Sequence, residues 1–114
     1  MSVCKAYEKE LLRLRHWLHR HPELSMEEHL TTQFIYDYLN ALEIPCYKTG
    51  DTGVIATLML NPAYKTIAIR SEIDGLPIQE ATGLPFSSLY PGKMHACGHD
   101  AITAVNLCLA KVLA

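Results

Sequence analysis

The chain has 114 residues, 49% hydrophobic and 19% charged, which suits one ordinary packed domain and excludes a disordered tail. Ten Lys and Arg against twelve Asp and Glu leave a net charge of −2, so the basic face that nucleic-acid binding needs is missing. No apolar run approaches the ~20 residues of a membrane span, and the polar N-terminus has no apolar signal core.

The first predicted element is a helix from Ala6 to about His19. Tyr7, Leu11, Leu14 and Leu18 recur at i, i+4, i+7 and i+11 as one apolar stripe. Pro22 ends it, because the residue before a proline is driven out of the α region. A second helix is expected from Ser25, where Ser25-Met26-Glu27-Glu28 has the form of a capping box. Leu30, Phe34, Ile35, Tyr38 and Leu42 form its apolar face, and Pro45 limits it. Gly50-Asp51-Thr52-Gly53 reads as a turn. Val54–Leu60 and Lys65–Arg70 then read as two strands of a hairpin about Asn61-Pro62-Ala63-Tyr64. Residues 76–94 carry Pro77, Pro85 and Pro91 without a clean period, a long connection of the kind that carries function. After His99 a last helix is expected, with Ile102, Val105, Leu109 and Val112 on one stripe and apolar residues almost all round, hence burial on several sides. It reaches Ala114 with no stop signal, which reads as a chain cut short. Helices, a small sheet, a loop and a helix together predict an α/β fold in a single unit, residues 1–114.

Three segments carry candidate chemistry. In His95-Ala96-Cys97-Gly98-His99-Asp100, a thiol and an imidazole one glycine apart at a helix start suit one zinc ion, with His95 and Asp100 as supporting groups. The alternative is a capped helix start with an incidental buried cysteine. In Arg70-Ser71-Glu72-Ile73-Asp74-Gly75, acidic side chains at i and i+2 leave a strand end and suit a metal or the orientation of a histidine; a turn using Asp74 for local hydrogen bonds is the alternative. His16, His19 and His21 suggest a metal less than they suggest cations at the negative pole of a helix. Cys4, Cys46 and Cys108 read as buried small hydrophobes. With no CxxC and no secretory signal, the four cysteines fit a reducing, cytoplasmic compartment. A redox or single-zinc role for Cys97 ranks last, since no resolving cysteine lies near it in sequence.

Taken together, LHRHPELSMEEH at 18–29, TGVIATL at 52–58, RSEIDGLPIQEATGLPF at 70–86 and PGKMHACGHDAITA at 91–104 resemble the amino-terminal part of the M20 metallopeptidase family. The N-acyl-amino-acid amidohydrolases, including hippurate hydrolases, are the most similar subgroup. The resemblance implies a partial three-layer αβα catalytic domain of the zinc-exopeptidase type and a binuclear zinc or manganese site, at most partial here. It also implies a small N-acyl amino acid or peptide as substrate. By motif position it makes Cys97 and His99 metal ligands and Asp74 an orienting carboxylate. Glu72 stands where the family usually has Asp, and Ile102 where it usually has His. The family's Glu-Glu pair, its last histidine ligand and its dimerisation domain have no counterpart here. This chain alone is therefore expected to be inactive. The other reading is a non-catalytic module that self-associates or binds a partner through apolar faces left open.

Overall fold

The computed structural model describes residues 2–114. Helix α1 (Val3–Arg20) opens earlier than the expected Ala6, because Ser2 caps it: the Ser2 hydroxyl accepts from the Lys5 amide at 3.3 Å. It stops at His21, ahead of Pro22. Leu14 and Leu18 of the predicted stripe are fully buried, each contributing about 1.5–3 kcal/mol of apolar burial.

Helix α2 (His29–Ala41) begins later than expected, and the Ser25 capping box does not form. Met26 adopts a left-handed backbone (φ 68°), which interrupts any helix starting at Ser25. Capping comes instead from Glu23, whose carboxylate accepts from the Leu30 amide at 3.1 Å, the Thr31 amide at 2.6 Å and the Thr31 hydroxyl at 2.7 Å. At the other end Glu43 takes φ 59°, the Glu43 amide donates to Asn40 O and the Ile44 amide to Leu39 O. This Schellman arrangement seats Ile44 against Leu39 in the core. The face of α2 that packs carries Ile35 and Leu39, while Leu30 is exposed. Phe34 stacks on Trp17 at 3.7 Å and fixes α2 to α1.

Strands β1 (Cys46–Lys48) and β2 (Val54–Ala56) form an antiparallel pair, with Tyr47 opposite Ile55. This corrects the expected hairpin. Val54 pairs backwards across the Gly50–Gly53 turn, which the Thr49 amide closes on Gly53 O at 3.1 Å, and Lys65–Arg70 joins no strand. Ile67 is left 83% exposed and Ile69 59%.

Helix α3 (His99–Leu113) packs on α1 and buries Asp100, Thr103, Ala104, Leu107 and Cys108. The expected stripe is the outer one: Ile102, Val105 and Val112 face solvent. The inner face wins because its two polar residues find partners there, Asp100 on α1 and Thr103 on the Glu72 carbonyl at 3.0 Å. Leu14, Leu18, Ile35, Leu39, Ile44, Ala104, Leu107 and Cys108 make one core. Cys108 is buried as expected, but Cys4 is exposed, since it lies on the open first turn of α1. The α/β reading holds. Among the described residues no helix is long and apolar enough to cross a membrane.

Candidate functional site

The connection 76–94 is a closed loop with a narrow neck. The Leu76 amide donates to Met94 O at 2.8 Å and the Met94 amide returns the bond to Leu76 O at 3.0 Å. On the other side the Gly75 amide donates to Glu23 O at 2.7 Å. Gly75 is squeezed between the two: a Cβ there would lie 2.8 Å from Pro22 Cβ and 3.2 Å from Met94 O. Only glycine lets the three segments meet. The neck sets Asp74 on one side and His95–His99 on the other.

Gly98 turns the chain from Cys97 into α3 with φ 91°, a left-handed value that suits glycine. His99 then meets Asp74. Its Nδ1–H is shared by Asp74 Oδ1 at 2.9 Å and Asp74 O at 3.1 Å, while Nε2 lies 3.0 Å from Glu72 Oε2. Asp74 thus orients a histidine rather than serving only a local turn. Glu72 is half-exposed and also meets Arg70 at 3.1 Å. Cys97 is exposed. The structure brings His99, Asp74 and Glu72 together, but among the described residues no three ligand-type side chains converge at metal-holding geometry.

Asp100 points away from this turn, into α1. Its Oδ2 accepts from Arg15 Nε at 3.0 Å and from His19 Nδ1 at 2.8 Å. His19 Nε2 lies 3.1 Å from Glu80 Oε2. Glu80 also accepts from the Ser88 amide at 2.7 Å and from the Thr82 hydroxyl. Burial works to raise the Glu80 carboxyl, yet the bonds from Thr82, Ser88 and His19 prevail and bring it down to about 2. His19 is therefore not one of several exposed cations at a helix end but a buried bridge. A sequence signal for it existed: Arg15 and His19 are spaced i, i+4 beside the Leu14–Leu18 stripe. His16 stacks on Phe86 at 3.9 Å, and His21 stacks on Trp17 at 4.2 Å while donating from Nδ1 to Trp17 O at 2.6 Å. The three histidines serve different contacts, although His16 and His19 share Phe86, which lies flat on the first and edge-on to the second. His95 is buried with neither ring nitrogen paired, and burial pushes its imidazole below the ordinary range against the pull of Asp100.

Known proteins share this arrangement of sequence and fold. Residues 68–114 match the family model for Peptidase family M20/M25/M40. The chain is 47% identical over 107 residues to the N-acetyl-L-cysteine deacetylase of Bacillus subtilis (strain 168), covering 93% of this chain and 26% of that protein. It is 41% identical over 104 residues to the N-acyl-L-amino acid amidohydrolase of Geobacillus stearothermophilus, 90% of this chain and 28% of that protein. A crystal structure of a Bacillus subtilis protein described as a dinuclear metal binding peptidase from the M20 family superposes with a TM-score of 0.90 at 45% identity, over 96% of this chain and 31% of that one. The chain thus spans about a quarter to a third of the length of these relatives.

Proposed function

This chain belongs to the M20 peptidase family, and we propose that residues 1–114 supply the amino-terminal part of a metal-dependent amidohydrolase domain acting on N-acyl amino acids or similar small amides. The observation that carries this reading is the seat of His99. Asp74 takes its Nδ1–H with both a carboxylate and a carbonyl oxygen, which fixes the ring and turns Nε2 outward, 3.0 Å from Glu72 Oε2. Histidines that bind metals are held this way, and the carboxylate raises the basicity of the outer nitrogen. Nε2 now faces the Glu72 carboxylate, itself a ligand type.

The donor set suits a metal ion. Cys97 and His99 would hold it, with Glu72 at hand, and the thiol favours zinc over manganese. A bound ion of this kind polarises a carbonyl and makes bound water more acidic. Asp74 keeps His99 in one tautomer and one orientation. Glu72, half-exposed, meets Arg70 through Oε1 and His99 through Oε2 at the same time. Two or three protein donors fall short of a full shell, so this chain alone is expected to bind metal weakly and to turn over no substrate.

The test is a zinc titration of the chain and of its Cys97→Ser and His99→Ala variants, followed by an assay with hippurate and other N-acyl amino acids. Each variant should bind at least ~10-fold more weakly, with negligible hydrolysis throughout. Equal affinity in all three proteins would remove these residues from the site. Robust metal-dependent turnover would show that 114 residues carry a complete centre.

A second reading, self-association, is favoured by one observation. Met59, Leu60, Tyr64, Ile67 and Ile69 are exposed along one stretch that joins no sheet. Such a patch invites another chain. Sedimentation should then show a concentration-dependent dimer that Ile67→Lys dissolves; a strict monomer at all concentrations excludes it.

A further inference from the structure

We infer that His19 is a positioning residue for the Cys97–His99 turn, acting through Asp100 and Glu80. The inference rests on the proposal that this turn holds a metal ion.

His19 lies in the last turn of α1 and is almost completely buried. Each of its ring nitrogens meets a carboxylate oxygen, Asp100 Oδ2 at 2.8 Å and Glu80 Oε2 at 3.1 Å. Carboxylates only accept, so both contacts are satisfied together when the ring offers two N–H groups, as an imidazolium does. The two carboxylates are as buried as the ring, at 1% and 3% side-chain exposure. A cation between two anions is the arrangement that lets all three leave water.

What makes this more than a staple is where the two carboxylates sit. Asp100 is the residue after His99 and belongs to the first turn of α3. Arg15 and His19, one turn apart on α1, both hold its Oδ2, so the start of α3 is fixed against α1 at two points. Glu80 belongs to the closed loop whose neck is Leu76–Met94. The carboxyl end of α1 holds that loop elsewhere too, through the Leu89 amide to Arg20 O at 2.9 Å and Phe86 stacked on His16. The neck carries Asp74 on one strand and leads into His95–His99 on the other. His19 hydrogen-bonds a carboxylate on both the helix start bearing His99 and the loop whose neck bears Asp74; Arg15 also spans the two, through Asp100 and with its guanidinium 5.0 Å over the Phe86 ring. A shift in either carboxylate reaches the bond between Asp74 and His99, which spans the two. Partners bonded directly to a metal ligand typically change its affinity ~10–100-fold, so a residue acting through Asp100 and Glu80 is expected near the lower end of that range.

The experiment compares the intact chain with Glu80→Gln, which keeps the shape of the side chain and removes its charge. Cobalt(II) is the probe, read by the thiolate-to-cobalt absorption of Cys97, beside nitrogen-15 spectra of the histidine rings without metal. In the unaltered chain both ring nitrogens of His19 should show hydrogen-bonded signals, one toward Asp100 and one toward Glu80. Glu80→Gln should remain folded by circular dichroism, bind cobalt ~10-fold more weakly and shift the Nδ1–H signal of His99. A folded Glu80→Gln with an unmoved His99 signal overturns the inference, whatever the metal does. A His19 ring with only one nitrogen hydrogen-bonded in the unaltered chain overturns it as well, even if the variant fails to fold. Absence of any Cys97-dependent cobalt band counts against the proposed metal site instead, and leaves the ring spectra to decide the role of His19.

Discussion

Replacing His19 with alanine should destabilise the protein by about 3–5 kcal/mol, more than any single surface change. The imidazole separates two buried carboxylates, and its loss leaves both facing a cavity. Asp100 keeps only Arg15, and Glu80 keeps Thr82 and Ser88. The cost is that of an uncompensated buried charge added to that of the void. Contrast the pair between Glu10 and Arg13, 2.9 Å apart but with the arginine 55% exposed. Solvent screens that pair, and Arg13→Ala should cost less than about 1 kcal/mol. Urea unfolding of His19→Ala, Asp100→Ala and the double variant checks the argument. The double variant should lose markedly less than the sum, because each single change strands an anion or a cation that the double removes together. Additive losses, or a His19→Ala cost under about 1 kcal/mol, would show that water and Arg15 compensate and that the bridge is not a buried charge network.

The contrast also explains what could be read from the chain and what could not. Periodicity found all three helices, since Leu14 and Leu18 on α1 and Ile35 on α2 sit on the faces that pack. It failed where an apolar pattern needs a partner. Lys65–Arg70 alternates like a strand, but β2 pairs across the nearer turn and leaves Ile67 and Ile69 in solvent. On α3 the apolar stripe Ile102–Val105–Val112 was the more obvious one, yet Asp100 and Thr103 draw the opposite face inward because their partners lie there. The Ser25 box lost to a carboxylate from outside its window, Glu23, once Met26 had turned left-handed. For the site, motif position marked Asp74 as an orienting carboxylate without saying which side chain it meets; the structure sets it 2.9 Å from His99 Nδ1. The bridge from His19 had no such mark: it joins residues 81 and 61 positions away, and no local pattern encodes such separations.

Acid should remove about 3 kcal/mol of stability between pH 4.5 and 2 through Glu80 alone. Its carboxyl falls from 4.5 to about 2 in the folded chain, although burial alone would raise it. A depressed folded value means the unfolded chain takes up the proton first. The stabilisation is therefore complete above the unfolded value, shrinks as pH falls below 4.5, and is gone near pH 2. Each unit corresponds to about 1.4 kcal/mol, and Glu80 is buried, so little of this is lost to screening. Glu10 also drops to about 2, chiefly through Arg13, but its main partner is over half exposed and the effect should shrink to about 1 kcal/mol. Unfolding free energies of the intact chain, Glu80→Gln and Glu10→Gln, measured from pH 7 to pH 2, separate the two. Glu80→Gln should start lower at pH 7 and decline far less, meeting the intact chain near pH 2. Glu10→Gln should keep most of the acid slope. If Glu80→Gln instead runs parallel to the intact chain throughout, the acid sensitivity lies elsewhere and the buried carboxylate contributes no linked stability.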